Sequence, residues 1–239
     1  MKYVLDTHSH TIASGHAYST MMEMVDAAFE AGLELLAITE HGAGMPGSCS
    51  EIYFQNLRVV RRNRKGMKLL LGAELNILDY EGNLDMHEGT WKGLDIVIAS
   101  LHMPCIKPVT KEQNTNALIG AMKNPYVTII GHPDDARYPV DYEQLVLAAK
   151  EHHVLLELNN SSLNPLGFRQ NARDNDILML KLCERYQVPI VMGSDSHVAD
   201  DVGNFSFAAD LLVELKFPEH LIINTSVDKL TQYLNTPVY

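Results

Sequence analysis

The chain has 239 residues, 46% of them hydrophobic, and a formal net charge of −11 from 19 basic and 30 acidic side chains. That composition suits a folded globular chain rather than a disordered one, and the acidic balance disfavours a broad nucleic-acid-binding face. No apolar run approaches the roughly 20 residues needed to span a bilayer, and the opening Met1-Lys2-Tyr3-Val4-Leu5-Asp6 has neither the apolar stretch nor the cleavage site of a signal peptide.

In chain order, short apolar runs rich in Val, Ile and Leu predict strands at 3–6, 35–39, 68–75, 95–100, 127–131, 154–159 and 190–193. Between them lie amphipathic stretches that predict helices at 20–31, 51–64, 111–122, 142–152, 174–186, 205–215 and 227–234. Ser19 and Thr20 offer a cap before the first helix and Gly32 a stop after it. Basic residues at the end of 51–64 complement a helix dipole. An insertion at 76–93 contains Asp-Tyr-Glu-Gly-Asn and reads as a hairpin or turn. Seven strands alternating with helices imply a parallel sheet, and one domain over 1–239 makes a closed or nearly closed βα barrel the economical answer. An open doubly wound sheet is the alternative. In both, ligands sit at the carboxyl ends of the strands.

The chain has eleven histidines, and their positions matter more than their number. The first strand runs into Asp6-Thr7-His8-Ser9-His10, with His16 in the next loop; extended backbone puts His8 and His10 on one face. The following strands end in Thr39-Glu40-His41, Gly72-Ala73-Glu74, Ser100-Leu101-His102 and Gly131-His132-Pro133, and the last in Gly193-Ser194-Asp195-Ser196-His197. Taken singly, His41 or His102 reads as a packed core or loop histidine. Together, His8, His10, His16, His41, Glu74, His102, His132, Asp195 and His197 converge on one rim, which points to metal binding. Imidazole and carboxylate without thiolate suit zinc, manganese or iron. Nine ligands are too many for one ion, so two or three are implied, with Glu74 placed to bridge. Such a pocket attracts phosphate even on an acidic chain, and clustered metals acidify a bridging water.

These motifs and their order resemble the PHP family, named for polymerase and histidinol phosphatase. The length, the Glu157-Leu158-Asn159-Asn160-Ser161-Ser162 segment and the loop at 42–47 are similar to its small stand-alone bacterial phosphatases, the YcdX-type branch. The resemblance implies a distorted seven-stranded (β/α)7 TIM-like barrel and a trinuclear zinc site. One ion would take His8, His10, Glu74 and Asp195. A second would share Glu74 and add His102 and His132, and a third would take His16, His41 and His197. Manganese or iron also occurs in the family.

The expected activity is a metal-dependent phosphoric monoester hydrolase acting on small phosphorylated substrates, with a metal-bridging hydroxide as nucleophile and Glu74, Asp195 and His197 as catalytic side chains. Arg169, Arg173 and Asn160, which follow the sixth strand, are candidate phosphate contacts; the competing reading of the arginines is an exposed or helix-capping role. Asp6 is a candidate to orient a ligand imidazole, or else a strand-end cap, and Glu40 a candidate to orient His41, or else a solvated loop residue. His152 and His153 fall at the opposite rim and read as structural. His87 is open, and Cys105 is expected not to bind metal. Histidinol phosphate is one substrate the family offers. Other functions weighed are a 3'-5' exonuclease or DNase, disfavoured by the charge; an amidohydrolase, which often bridges its metals with a carbamylated lysine where this chain has Glu74; and a non-catalytic barrel that binds metal or a partner. Three widely spaced cysteines, Cys49, Cys105 and Cys183, fit a reducing cytoplasm. Self-association is left open, and no membrane partner is expected.

Overall fold

Along each strand the side chains alternate between two apolar environments, and that alternation builds the site. The structure is a computed structural model that describes residues 1–234, so the last five residues of the expected 1–239 domain lie outside the described residues. The elements run β1 (Leu5–Asp6), α1 (Met21–Glu30), β2 (Leu35–His41), α2 (Glu51–Asn56), β3 (Asn63–Arg64) and β4 (Met67–Asn76). There follow α3 (Glu88–Trp91), β5 (Val97–Ser100), α4 (Lys111–Met122), β6 (Ile129–Ile130), α5 (Tyr142–His152), β7 (Leu155–Asn159), α6 (Ala172–Tyr186), β8 (Ile190–Gly193), α7 (Ser206–Glu214) and α8 (Val227–Thr231). The sheet order is β1-β2-β4-β5-β6-β7-β8, parallel throughout, with β3 antiparallel on the side of β4. Beyond the ends of β1 and β8 the chain closes the ring: Asp195 N donates to His8 O at 2.9 Å and His10 N to Ser196 O at 2.9 Å. The result is the expected distorted seven-stranded barrel.

Leu35, Ala37, Leu70, Ile96, Ile98, Ile129, Leu155 and Val191 point inward and pack with Ile223, Val227 and Leu230, which plug the bottom. Their neighbours Leu36, Ile38, Leu69, Leu71, Val97, Ile130, Leu156 and Met192 point outward and pack under the helices. Because the period is two, each inward row continues upward on the same face. The rows run Leu35-Ala37-Thr39-His41, Leu70-Gly72-Glu74, Leu155-Glu157-Asn159 and Val191-Gly193-Asp195. The barrel interior therefore changes from apolar at the bottom to polar at the top, and the polar layer is the site.

The predicted helix at 51–64 is shorter. It ends at Asn56, and a 3-10 turn (Leu57–Val59) follows. Arg62 folds back, its Nη1 donating to Leu57 O at 2.6 Å and Val60 O at 2.9 Å, while Nε pairs with Asp95 at 2.8 Å. Arg62 thus closes the 3-10 turn, and the expected pairing of basic residues with the last turn of a long helix does not arise. Lys65 (φ 52°) and Gly66 (φ 82°) then form a tight reversal between β3 and β4, the two-residue geometry that favours glycine. The insertion holds an antiparallel bridge between Ile77 and Leu84, with the turn at Asp79–Gly82. Among the described residues no helix is long and apolar enough to cross a membrane.

Behind β7, Asp176 of α6 is fully buried, and neither of its carboxyl oxygens has a hydrogen-bond partner among the described residues. Burial, and then the repulsion of Asp134 and Glu157, push its pKa well above the usual carboxylate range. The folded state therefore holds this proton more tightly than the unfolded chain. The associated stability is fully present below the ordinary carboxylate range and is lost as pH rises from there toward the raised value. Asp176→Asn should flatten that slope and raise Tm by roughly 2–6 °C at about pH 8. Thermal melts of both proteins from about pH 5.5 to about pH 8.5 would check it; parallel curves would show that the carboxyl carries no such burden.

Candidate metal centre

All nine side chains that the sequence marks as metal ligands meet at the carboxyl end of the barrel. Glu74, at the top of β4, is their hub. Its Oε2 lies 2.7 Å from His41 Nδ1, 3.4 Å from His8 Nε2 and 3.5 Å from His10 Nε2. Its Oε1 lies 2.8 Å from His132 Nε2 and 3.2 Å from His102 Nε2. On the far side, Asp195 Oδ1 is 3.4 Å from His10 Nε2, 3.7 Å from His8 Nε2 and 3.6 Å from His197 Nδ1. His16, the most exposed of the set, stacks on His41 with ring centres 4.9 Å apart and lies tilted against His197 at 5.0 Å.

Four of the rings are held from behind through Nδ1. Glu157 accepts from His8 at 2.7 Å, Asn76 Oδ1 from His102 at 2.8 Å, and the Asp195 carbonyl from His197 at 3.0 Å. His10 Nδ1 lies 3.1 Å from Ser14 Oγ. Ser14 gives its own proton to Glu40 at 2.6 Å, so toward His10 it can only accept. In the neutral tautomer that these partners select, Nδ1 carries the proton and each Nε2 keeps its lone pair. A hydrogen-bonded imidazole with one free nitrogen is the arrangement in which histidine binds metal.

The free nitrogens need a positive charge among them. His8 Nε2 and His10 Nε2 face each other at 3.1 Å. His41 Nδ1 and Glu74 Oε2, though close, form no hydrogen bond of acceptable angle, and both are buried atoms without any hydrogen-bond partner among the described residues. Three sets of donors each lie within 4.8 Å of one another: His8, His10 and Glu74; His41, Glu74 and His102; and His10, His41 and His197. All are nitrogen or carboxylate donors and none is a thiolate, so the residues fit a small cluster of divalent metals of the zinc, manganese or iron kind.

The electrostatics agree. Burial raises the cost of charging Glu74, but His102, His8 and His41 outweigh it and hold its carboxyl well below the usual range. Asp195, equally buried, is held well down by His8 and Arg169. Burial opposes protonation of His8 too, yet Glu157, Glu74 and Asp195 keep its pKa well above that of an ordinary histidine. Burial, then His41, push His10 well down, and the same two causes lower His16.

Two of these residues occupy the left-handed region that side chains rarely adopt, His132 at φ 28° and Asp195 at φ 55°. Strain of that kind concentrates where geometry serves function. Gly193 is required for a related reason: a Cβ there would run into the Glu157 carboxylate and the His8 side chain.

Asp6 and Glu40 now separate. Asp6 accepts from the backbone of His8, Ser194 and Gly203 at 3.3, 3.1 and 2.9 Å, and so ties strand ends together without touching an imidazole. Glu40 is fully buried, binds Thr11 and Ser14, and acts on His10 through Ser14. Of the three candidate phosphate contacts, Arg169 reaches the site. Its Nη1 donates to Asn159, Ser162 and Asp195 at 3.1, 3.0 and 3.1 Å, and the guanidinium lines a cavity of about 500 Å³ over the histidines. Arg173 is half exposed, pairs with Glu214 at 2.5 Å and does not line that cavity. Asn160 accepts from Ala208 N at 3.0 Å and borders a separate small pocket with Ser161 and Asn164.

Outside the cluster, His87 binds Glu51 at 2.8 Å on the surface. His153 stacks on Tyr233, with ring centres 4.1 Å apart. Cys105 Sγ donates to Gly44 O at 3.5 Å.

A family profile for the PHP domain matches residues 6–164, from the first ligand motif to the loop after β7. The chain belongs to the PHP family. Among its relatives, a protein of Clostridium novyi described as a probable phosphatase is 48% identical over 99% of this chain and 96% of its own length. Another so described, from Caldicellulosiruptor bescii, is 48% identical over 96% of this chain and 95% of its own. The fold is also that of histidinol phosphate phosphatase from Lactococcus lactis, whose structure holds zinc, L-histidinol and phosphate. That likeness has a TM-score of 0.63 at 20% identity, covering 90% of this chain and 95% of the other.

Proposed function

We propose that this PHP protein is a metal-dependent phosphatase that hydrolyses small phosphate monoesters. The observation that carries the reading is the set of free imidazole nitrogens gathered around Glu74 and Asp195, directly beneath a cavity that also exposes a guanidinium. The relatives described as phosphatases, and the zinc and phosphate bound by the Lactococcus protein, support it.

Three zinc ions suit the donor set. His8, His10, Glu74 and Asp195 would hold one, Glu74, His102 and His132 a second, and His16, His41 and His197 the third. Such ions supply Lewis acidity, which lowers the pKa of water and offsets charge on phosphate oxygens. The chain's own residues do the positioning. Asp195 faces the histidines with Oδ1 and Arg169 with Oδ2, so the arginine is fixed by the same carboxylate that serves the cluster. Its Nε–H has no partner among the described residues and can donate to a phosphate oxygen entering the cavity. The cavity, at about 500 Å³, is of a size for a small molecule.

The protein freed of metal by chelation should not release phosphate from p-nitrophenyl phosphate, and added zinc or manganese should restore turnover. Absence of metal-dependent turnover on any small ester would sink the reading, and faster degradation of single-stranded DNA than of esters would replace it with a nuclease. Metal loading should also depend on pH. His8 holds a proton that a metal must displace, so affinity should rise by about tenfold per pH unit for that proton until His8 is neutral. Titration of chelator-stripped protein with zinc at a series of pH values would measure it; a flat response would mean that no proton leaves.

A further inference from the structure

The cavity above the histidines has two unlike halves. Its floor is polar: histidine rings and Arg169. Its walls are Met45, Pro46, Leu101, Met103, Pro104 and Phe168, contributed by three loops that leave the tops of β2, β5 and β7. Phe168 is 71% exposed and Met103 44% exposed, so an apolar surface at the mouth faces solvent. Exposed apolar side chains that converge on a concave site mark where a ligand covers them.

The charged groups of the walls are already committed. Arg137 is paired with Asp135, its Nε donating to Oδ2 at 2.8 Å; Arg169 belongs to the floor, paired with Asp195 at 3.1 Å, and its remaining Nε–H is taken by the phosphate of the ester itself. Both guanidinium carbons lie 5.3 Å from the centre of the Phe168 ring, which fixes the ring beside the floor. No lysine lines the cavity among the described residues. A second phosphate or a carboxylate on the substrate would thus find no uncommitted cation on the walls. A sugar or other polyol would leave hydroxyl groups against methionine, proline and phenylalanine, which cannot bond them.

From this we infer that the substrate is a phosphate monoester with an uncharged, apolar leaving group of about the size of an aromatic ring, and that Met103 and Phe168 determine this preference. The inference rests on the phosphatase reading for its chemistry, but its physical content is a binding preference. The phosphate enters the polar floor. The carbon skeleton of the alcohol lies along the apolar wall and covers Phe168 and Met103.

Calorimetric titration of the zinc-loaded protein with benzylphosphonate and with methylphosphonate tests it without any turnover. Covering a phenyl group should make benzylphosphonate bind about tenfold or more tightly than methylphosphonate. Phe168→Ala with Met103→Ala should reduce the ratio to within about threefold. Because loss of the Phe168 ring can shift Arg169, Met103→Ala alone serves as a second variant. It should lower the ratio with no change in methylphosphonate binding.

Equal affinities for the two ligands in the wild type, or a ratio that survives both variants, would overturn the inference, as would failure of both ligands to bind. Turnover should follow the same order, with a lower KM for benzyl phosphate than for glycerol 3-phosphate, whose leaving groups are both simple alcohols. A protein that prefers benzylphosphonate but hydrolyses neither ester keeps the apolar site and loses the phosphatase reading. One that hydrolyses esters but binds both phosphonates equally does the reverse.

Discussion

Glu74→Gln should abolish metal-dependent phosphatase activity, with kcat/KM falling by about 1,000-fold or more. The substitution keeps the side-chain shape and removes one negative charge. Five ring nitrogens lie within 3.5 Å of that carboxylate, so no other single change withdraws charge from as many ligands. An amide oxygen is a poor bridge between cations and cannot offset their charge. Bound zinc, measured by elemental analysis of protein purified without chelator, should fall together with activity, and circular dichroism should remain that of the wild type. A variant that kept its full metal content and turnover would remove Glu74 from the centre of the site.

The second large effect belongs to a residue that touches no candidate metal position. Glu157→Gln should weaken zinc binding by about 10- to 100-fold. Glu157 receives the Nδ1 proton of His8 at 2.7 Å and the backbone N–H of His132 at 2.8 Å, and so orients two ligands from behind. Glu157 uses Oε1 for His8 and Oε2 for His132, so glutamine, with one oxygen and an NH2 that only donates, accepts one of the two bonds and no longer places a negative charge against the ring. His8 then becomes a weaker donor toward metal and proton alike. Zinc affinity should therefore drop, and the pH at which loading becomes proton-limited should move down. A residue that merely filled space would alter the melting temperature and leave that pH midpoint where it is. An unchanged midpoint with unchanged affinity would refute the positioning role.

Much of this was legible in the residues alone. Strands buried on both faces read as continuous apolar runs, so all seven parallel strands stood out, and with them the ends that carry His41, Glu74, His102, His132 and Asp195. β3 did not, because Asn63 and Arg64 are polar and lie on an edge, where a two-residue strand has no hydrophobic signature. The real signal was Lys65-Gly66, a pair suited to a tight reversal. The retaining groups behind the ligands were harder to see. Glu157 stands as a lone acid in Leu155-Leu156-Glu157-Leu158, and it becomes informative only when the period-two row is followed upward from Leu155. Asn76 reads as the start of an insertion, yet its amide oxygen holds His102. Ser14 gives no signal at all. Its role depends on Glu40, which arrives from a different strand. Arg169 and Arg173 are four residues apart in sequence. One turns into the cavity and the other to solvent because α6 begins between them, at Ala172.

The hub arrangement of Glu74 bears on how such a protein can change over time. A carboxylate shared by five rings makes the ligands mutually dependent, and removal of any one leaves the rest with little to hold. Pairwise substitutions within the cluster should accordingly fall far short of the sum of their separate effects. Selection would see the nine positions as a single trait. A lineage that lost one of them would be nearly free to lose the others, while the apolar plug at the opposite end of the barrel kept the fold intact for some other use.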